Sequence, residues 1–129
     1  MLRNAIIVGI GGFAGSAARY LLAGTVSRYC NTDFPLGTII VNLAGCFFIG
    51  IILGVFEKGG VVSSDMRLFL TVGFCGGFTT FSSFTSDTVN LANDSDMVNL
   101  GLYLGLSVIA GIYMTIAGRS LVNYFSNVL

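Results

Sequence analysis

At 129 residues the chain is 54% hydrophobic and 9% charged, with a mean hydropathy of +0.88 and six basic residues against six acidic ones. A soluble domain carries roughly 25% charged residues, so this is the composition of an all-α membrane protein, and its length suits a single membrane domain, residues 1–129. Net neutrality leaves no basic patch for nucleic acid, and a chain without histidine that shows no nucleophile–base pair and no metal-ligand cluster is not read as an enzyme.

Hydropathy predicts four spans, each near the ~20 residues that cross a bilayer. The first runs from Asn4 to Gly24 and is interrupted by Arg19. Its opening, Arg3 followed by an apolar run and small residues, has the outline of a signal peptide. The apolar character continues past Arg19 through Leu22, however, and Gly11 and Gly15 are spaced for helix packing, so a retained helix is expected. The second span, Phe34 to Phe56, carries no charge and opens on Pro35, which suits a first helical turn. The third runs from Leu68 to Asn93, with Asp65 placed to cap its start. The fourth, Met97 to Gly118, ends at Gly118-Arg119.

Short loops join them: Ser27 to Asp33, Glu57 to Arg67 and Asp94 to Asp96. Cys30, Cys46 and Cys75 form no disulfide framework; Cys30 falls in a loop and the other two in apolar segments, where cysteine acts as a small hydrophobe. With four spans both termini share a side. Arg3, Lys58, Arg67 and Arg119 lie on it, and Arg19 and Arg28 lie toward the other. That bias points the termini to the cytoplasm, but the margin is thin enough for both orientations to insert. Small residues recur at four-residue spacing (Gly11 and Gly15, Gly50 and Gly54, Gly101 and Gly105), the pattern that lets helix backbones approach closely in lipid.

The most informative stretch is Gly73 to Phe84, in the middle of the third span. Paired glycines and paired threonines are poor helix formers. Backbone freed from the helical ladder inside a membrane must be buried in protein or line a cavity. The stretch therefore predicts a broken helix carrying an ion site, with a continuous, glycine-packed helix as the alternative. In the second span Thr38, Asn42 and Cys46 share one face. Asn42 is open to two readings: a pore donor, or an interhelical hydrogen bond. In the fourth span Tyr103, Ser107, Gly111 and Thr115 form a ladder with three hydroxyls. Phe81 and Phe84 are neighbours at helical spacing and flank Ser82 and Ser83. Their ring edges are electropositive, so an edge can meet an anion. Asp87 is the one acid well inside an apolar span, and intramembrane ionisable residues are functional candidates. Arg19 has three readings: a cation at a pore mouth, a structural anchor or a snorkelling side chain.

Together these residues resemble the Fluc fluoride channel family, also called CrcB. The likeness covers essentially the whole chain: Gly12 to Tyr20; Pro35-Leu36-Gly37-Thr38 with Asn42 and Gly45; Gly73 to Phe84 with Asp87-Thr88; and Tyr103, Ser107 and Thr115. Its specific element is the Gly-Gly-x-Thr-Thr-Phe-Ser-x-Phe run from Gly76. The resemblance implies a passive, fluoride-selective channel in the cell inner membrane that expels cytoplasmic fluoride. It also implies a dual-topology antiparallel homodimer with two pores and a central structural sodium ion on the backbone carbonyls of Gly76 and Thr79 from both subunits. Carried over, Phe81 and Phe84 match the pore phenylalanines, Asn42 the pore asparagine, and Ser83, Tyr103, Ser107 and Thr115 the hydroxyl positions. Asp87 stands where many members have glutamate, and Ile112 where some have a hydroxyl, so the outer path, with Arg19 and Asp87 as vestibule candidates, is the least defined part. The rival readings are a small four-span proton-coupled exporter, which would need Asp87 as its titrating carboxylate, and a packing subunit of a larger membrane complex.

Overall fold

A computed structural model describes residues 1–59 and 62–128. Gly60 and Val61, in the second of the expected loops, lie outside the described residues. Four helical stretches are long and apolar enough to cross a membrane: Leu2–Tyr29, Leu36–Glu57, Ser64–Asn93 and Met97–Val128, here called the first to fourth spans. No strand occurs among the described residues. At 1.5 Å per residue even the shortest, the second, is about 33 Å long, enough for the hydrocarbon layer.

The spans are those expected, but their ends differ in instructive ways. The first continues past Gly24 to Tyr29, where Cys30 turns extended. Thr25 stays helical there by donating its hydroxyl to the Leu21 carbonyl at 2.7 Å. Pro35 stands just outside the second span, as its cap rather than in its first turn. That span closes with Lys58 and then Gly59, whose φ of +73° is the left-handed conformation glycine supplies after a helix. The third span begins four residues earlier than expected, and its cap is Ser63, not Asp65. Ser63 has the extended backbone a cap needs, and its hydroxyl accepts from the Met66 amide at 3.2 Å. Asp65 is already helical and pairs instead with Arg3 of the first span. Asp96 caps the fourth span by accepting from the Asn99 amide. That span runs on beyond Gly118 to Val128. Gly118 is a packing site there rather than a stop, and Arg119 holds Glu57 at the end of the second span with two contacts of 2.8 and 2.6 Å.

Glycine-to-backbone contacts set the packing. In lipid no apolar driving force pulls helices together, so close van der Waals approach carries much of the association. The first span lies on the front half of the third: a Cβ on Gly11 would sit 2.6 Å from the Phe69 carbonyl oxygen, and one on Gly15 2.1 Å from that of Phe74. Gly77 answers from the other side, where a Cβ would lie 2.5 Å from the Gly12 carbonyl oxygen. The second span lies on the fourth in the same manner, Gly50 against Thr115 and Gly118 against Phe47, each at 2.2 Å from a carbonyl oxygen. Gly101 and Gly105 behave differently, since a Cβ on either meets nothing within 4 Å. The back half of the third span is tied to the fourth by a small core of Ile39, Leu91 and Tyr103, with Phe34, Leu43, Phe84 and Leu100 packed on it.

This pattern separates glycines by consequence. Gly15→Ala is expected to lower stability by about 1–3 kcal/mol through overpacking against backbone, read as a lower unfolding temperature in detergent. Gly24→Ala, with open space around it, should be neutral or slightly stabilising. Equal shifts from the two would contradict the packing described.

Candidate functional site

The third span is interrupted, and the interruption is narrower than the Gly73 to Phe84 stretch suggests. Phe69–Cys75 is wound as a π-helix, and Gly76–Phe78 returns to α-helix with Gly76 at φ −63°, ψ −36°. Only Thr79 (φ −76°, ψ 156°) and Thr80 (φ −145°, ψ 114°) are extended, before Phe81–Asn93 resumes. Gly73 and Gly77 are helical and serve as thin backbone against Gly11 and Gly12 of the first span. The β-branched threonines are where the chain leaves the helix.

Each polar group at the break has a reason to be tolerated. The Thr79 amide and hydroxyl both donate to the Cys75 carbonyl, at 3.0 and 2.9 Å. The Thr80 amide, which a continuous α-helix would direct to the Gly76 carbonyl, donates instead to Asn42 Oδ1 at 2.8 Å. Asn42 Nδ2 donates back to the Thr80 carbonyl at 3.0 Å. The carboxamide thus pairs with both the N–H and the C=O of one extended residue, as a residue on a neighbouring strand would. Gly45, one turn on, makes room for this: a Cβ there would lie 2.2 Å from Thr79 Cγ2. Buried Thr80 caps the resumed helix, its Oγ1 accepting from the Ser83 amide at 3.1 Å and donating to Ser83 Oγ at 3.0 Å.

Beside the break lies a cleft of about 480 Å³. Asn42 and Cys46 of the second span, Gly76, Thr79, Phe81 and Phe84 of the third, and Ser107 of the fourth all line it, and no charged residue does. The Phe81 and Phe84 rings are 5.6 Å apart, Phe84 lies 5.3 Å from the Tyr103 ring, and Phe81 is 76% exposed. Tyr103 is fully buried and does not reach the cleft; its hydroxyl donates to Asp87 Oδ2 at 3.0 Å. Thr38 donates to the same oxygen at 2.6 Å. Thr38 and Asp87 close the inner end of a second, polar cavity of about 290 Å³, whose walls include Ser27, Asn31, Thr32 and Asp33.

The residues singled out from sequence therefore fall into groups. Asn42, Gly76, Thr79, Phe81, Phe84 and Ser107 meet at the cleft. Ser83 sits behind it on Thr80, and Tyr103 and Asp87 form the junction toward the polar cavity. Thr115 lies away from both cavities, with its hydroxyl on the Gly111 carbonyl at 3.1 Å, the back-bonding common to hydroxyls in helices. Arg19 is half-buried and makes no hydrogen bond or ion pair among the described residues. Sequence reasoning passed over Thr80 and the role of Thr38 beyond its shared face with Asn42. The signals were the doubled threonine, and the one-turn spacings of Thr38 from Asn42 and of Ser83 from Asp87.

These features define a four-span helical membrane protein with an interrupted third helix over an uncharged, donor-bearing cleft. Residues 6–119 match the family described as CrcB-like protein, Camphor Resistance (CrcB), and the chain belongs to it. A protein of Chlorobium phaeobacteroides named fluoride-specific ion channel FluC is 45% identical over 116 residues, 90% of either chain. Proteins of the same name from Azobacteroides pseudotrichonymphae and Clostridium novyi are 39% and 43% identical, covering 97% and 89% of this chain and 100% and 93% of theirs.

Proposed function

We propose that the protein is a passive fluoride-selective channel of the cell inner membrane that lets accumulated cytoplasmic fluoride leave. The observation that carries this is the cleft: amide and hydroxyl donors beside two phenylalanine rings, with no charge among the lining residues. Fluoride is small and strongly hydrated, so a path for it must replace water with donors. A lysine or arginine in that path would hold the anion too tightly for it to leave. Ring edges add a weakly electropositive wall. The names of relatives covering nearly the whole chain support the same reading. A proton-coupled exporter is less favoured, because the one intramembrane acid, Asp87, is held by two hydroxyl donors on a single oxygen.

The working unit is an antiparallel homodimer, and a structural sodium ion joins its two copies. The chemistry of the donor set supports this. With the Thr80 amide on Asn42, the Gly76 carbonyl has no helical partner, and no amide outside the regular helices donates to the Thr79 carbonyl among the described residues. Two copies would present about four hard oxygens, the ligand type a hard cation takes. A cation there would also offset the cost of bringing anions into the membrane nearby. Native mass spectrometry should find two chains with one retained sodium, and a C-terminal tag should label to equal extents from either side of the membrane. A monomer, or one-sided labelling, would contradict the assembly.

The function itself is tested by fluoride-electrode efflux from liposomes holding purified protein. Efflux should require a counter-ion pathway, as an electrogenic flux does, and should not respond to a proton gradient. Phe81→Ile keeps apolar volume but removes the electropositive edge. Efflux through the intact dimer should then fall by about tenfold or more, the cost of roughly 1.4 kcal/mol at the barrier. Normal flux in Phe81→Ile would reduce that ring to packing.

A further inference from the structure

Two stretches among the described residues are wound as π-helix, Phe69–Cys75 in the third span and Leu106–Ala110 in the fourth. Both face the same cleft, the first through Thr71 and Cys75 and the second through Ser107 and Val108. A π turn closes one residue later than an α turn, so it acts as a single inserted residue, and such turns concentrate at functional sites.

The burial pattern of the fourth span shows what the inserted residue leaves undisturbed. Its buried residues are Tyr103, Gly111 and Gly118. In an unbroken α-helix at about 100° per residue, Gly111 would point about 80° and Gly118 about 60° away from Tyr103. Removing one residue from the count, as a π turn does, brings them to within about 20° and 40°. The flanking halves therefore keep one common face: Tyr103 on Asp87, and Gly111 and Gly118 against Cys46 and Phe47 of the second span. The extra residue is absorbed within the turn that carries Ser107.

We propose that the inserted residue of the Leu106–Ala110 turn is a positioning device for conduction, turning the Ser107 hydroxyl into the cleft without disturbing the contacts on either side. Relative to a regular α turn it rotates Ser107 by roughly 30°, about 3 Å for a hydroxyl some 5 Å from the helix axis. This rests on the fluoride-channel reading. Ile109 is the residue to remove, because it is 59% exposed and does not line the cleft.

The test compares the parent, Ile109→Ala, Ser107→Ala, deletion of Ile109, and that deletion combined with Ser107→Ala, each by liposome fluoride efflux and by the unfolding temperature of the purified dimer. The deletion should leave the flanks in register, so it should assemble with near-parent stability while efflux falls about tenfold, the loss of roughly one hydrogen bond at the barrier. Ile109→Ala should conduct within about twofold of the parent, since it keeps the residue count and changes only an exposed side chain that does not line the cleft. Ser107→Ala should match the deletion, and the combination should be no worse than either, as expected for changes acting through one group. Parent-like efflux in the deletion, failure of the deletion to assemble, or full additivity with Ser107→Ala would each overturn the proposal. A parent that does not pass fluoride would instead fault the channel reading.

Discussion

A helix that stops inside a membrane leaves peptide groups with no water to turn to, and an unsatisfied one costs several kcal/mol there. In this protein that constraint is met at Thr80 by a single side chain. The Asn42 carboxamide accepts from the Thr80 amide and donates to the Thr80 carbonyl, so both backbone groups of extended Thr80 are paired. The cleft depends on this. Because Thr80 is held by the second span, the third span can restart at a new angle, carrying Phe81 and Phe84 to one wall while the end of its front half forms another. The carbonyl that the Thr80 amide leaves behind, that of Gly76, becomes free to serve something other than the helix.

The rest of the fold supplies what this pairing needs. Thin glycine contacts lock the first span to the front half of the third, and the second to the fourth, so the two sides of the break are held by different partners. Gly45 leaves the hole that Thr79 fills. One turn above, Thr38 and Tyr103 converge on a single Asp87 oxygen. The second span thus meets the back half of the third twice on one face, through Thr38 and through Asn42. The surface ion pairs, Arg3 with Asp65 and Arg119 with Glu57, are exposed and add little stability.

Much of this was legible in the residues. Four long apolar runs of helical length can only be spans, and a Gly-Gly and Thr-Thr sequence at mid-membrane reads as a break because its propensities are poor. The position of the break was not legible to the residue. Propensity alone would place it at the glycines, yet Gly76 and Gly77 are helical, and the missing side chain of Gly77 serves packing against Gly12. Hydropathy also misplaced the polar ends, as the first and fourth spans continue past Gly24 and Gly118 through Thr25 and Arg119, whose back-bonded hydroxyl and ion pair no hydropathy window registers. The even four-residue spacing of Tyr103, Ser107 and Thr115 suggested one continuous ladder. Those hydroxyls meet three different environments, Asp87 for Tyr103, the cleft for Ser107 and the Gly111 carbonyl for Thr115, and periodicity cannot reveal the inserted residue between them.

The pairing of Asn42 with Thr80 is the point on which the arrangement turns, and amide exchange at Thr80 reads it directly. Hydrogen exchange of the protein in detergent, followed residue by residue by NMR, should find the Thr80 amide protected like those inside the spans. In Asn42→Ala that protection should fall by about tenfold or more while amides in the first span keep theirs, since only a local opening has been made cheaper. A Thr80 amide that exchanges like a loop amide in the parent, or that is equally protected without Asn42, would contradict the paired break.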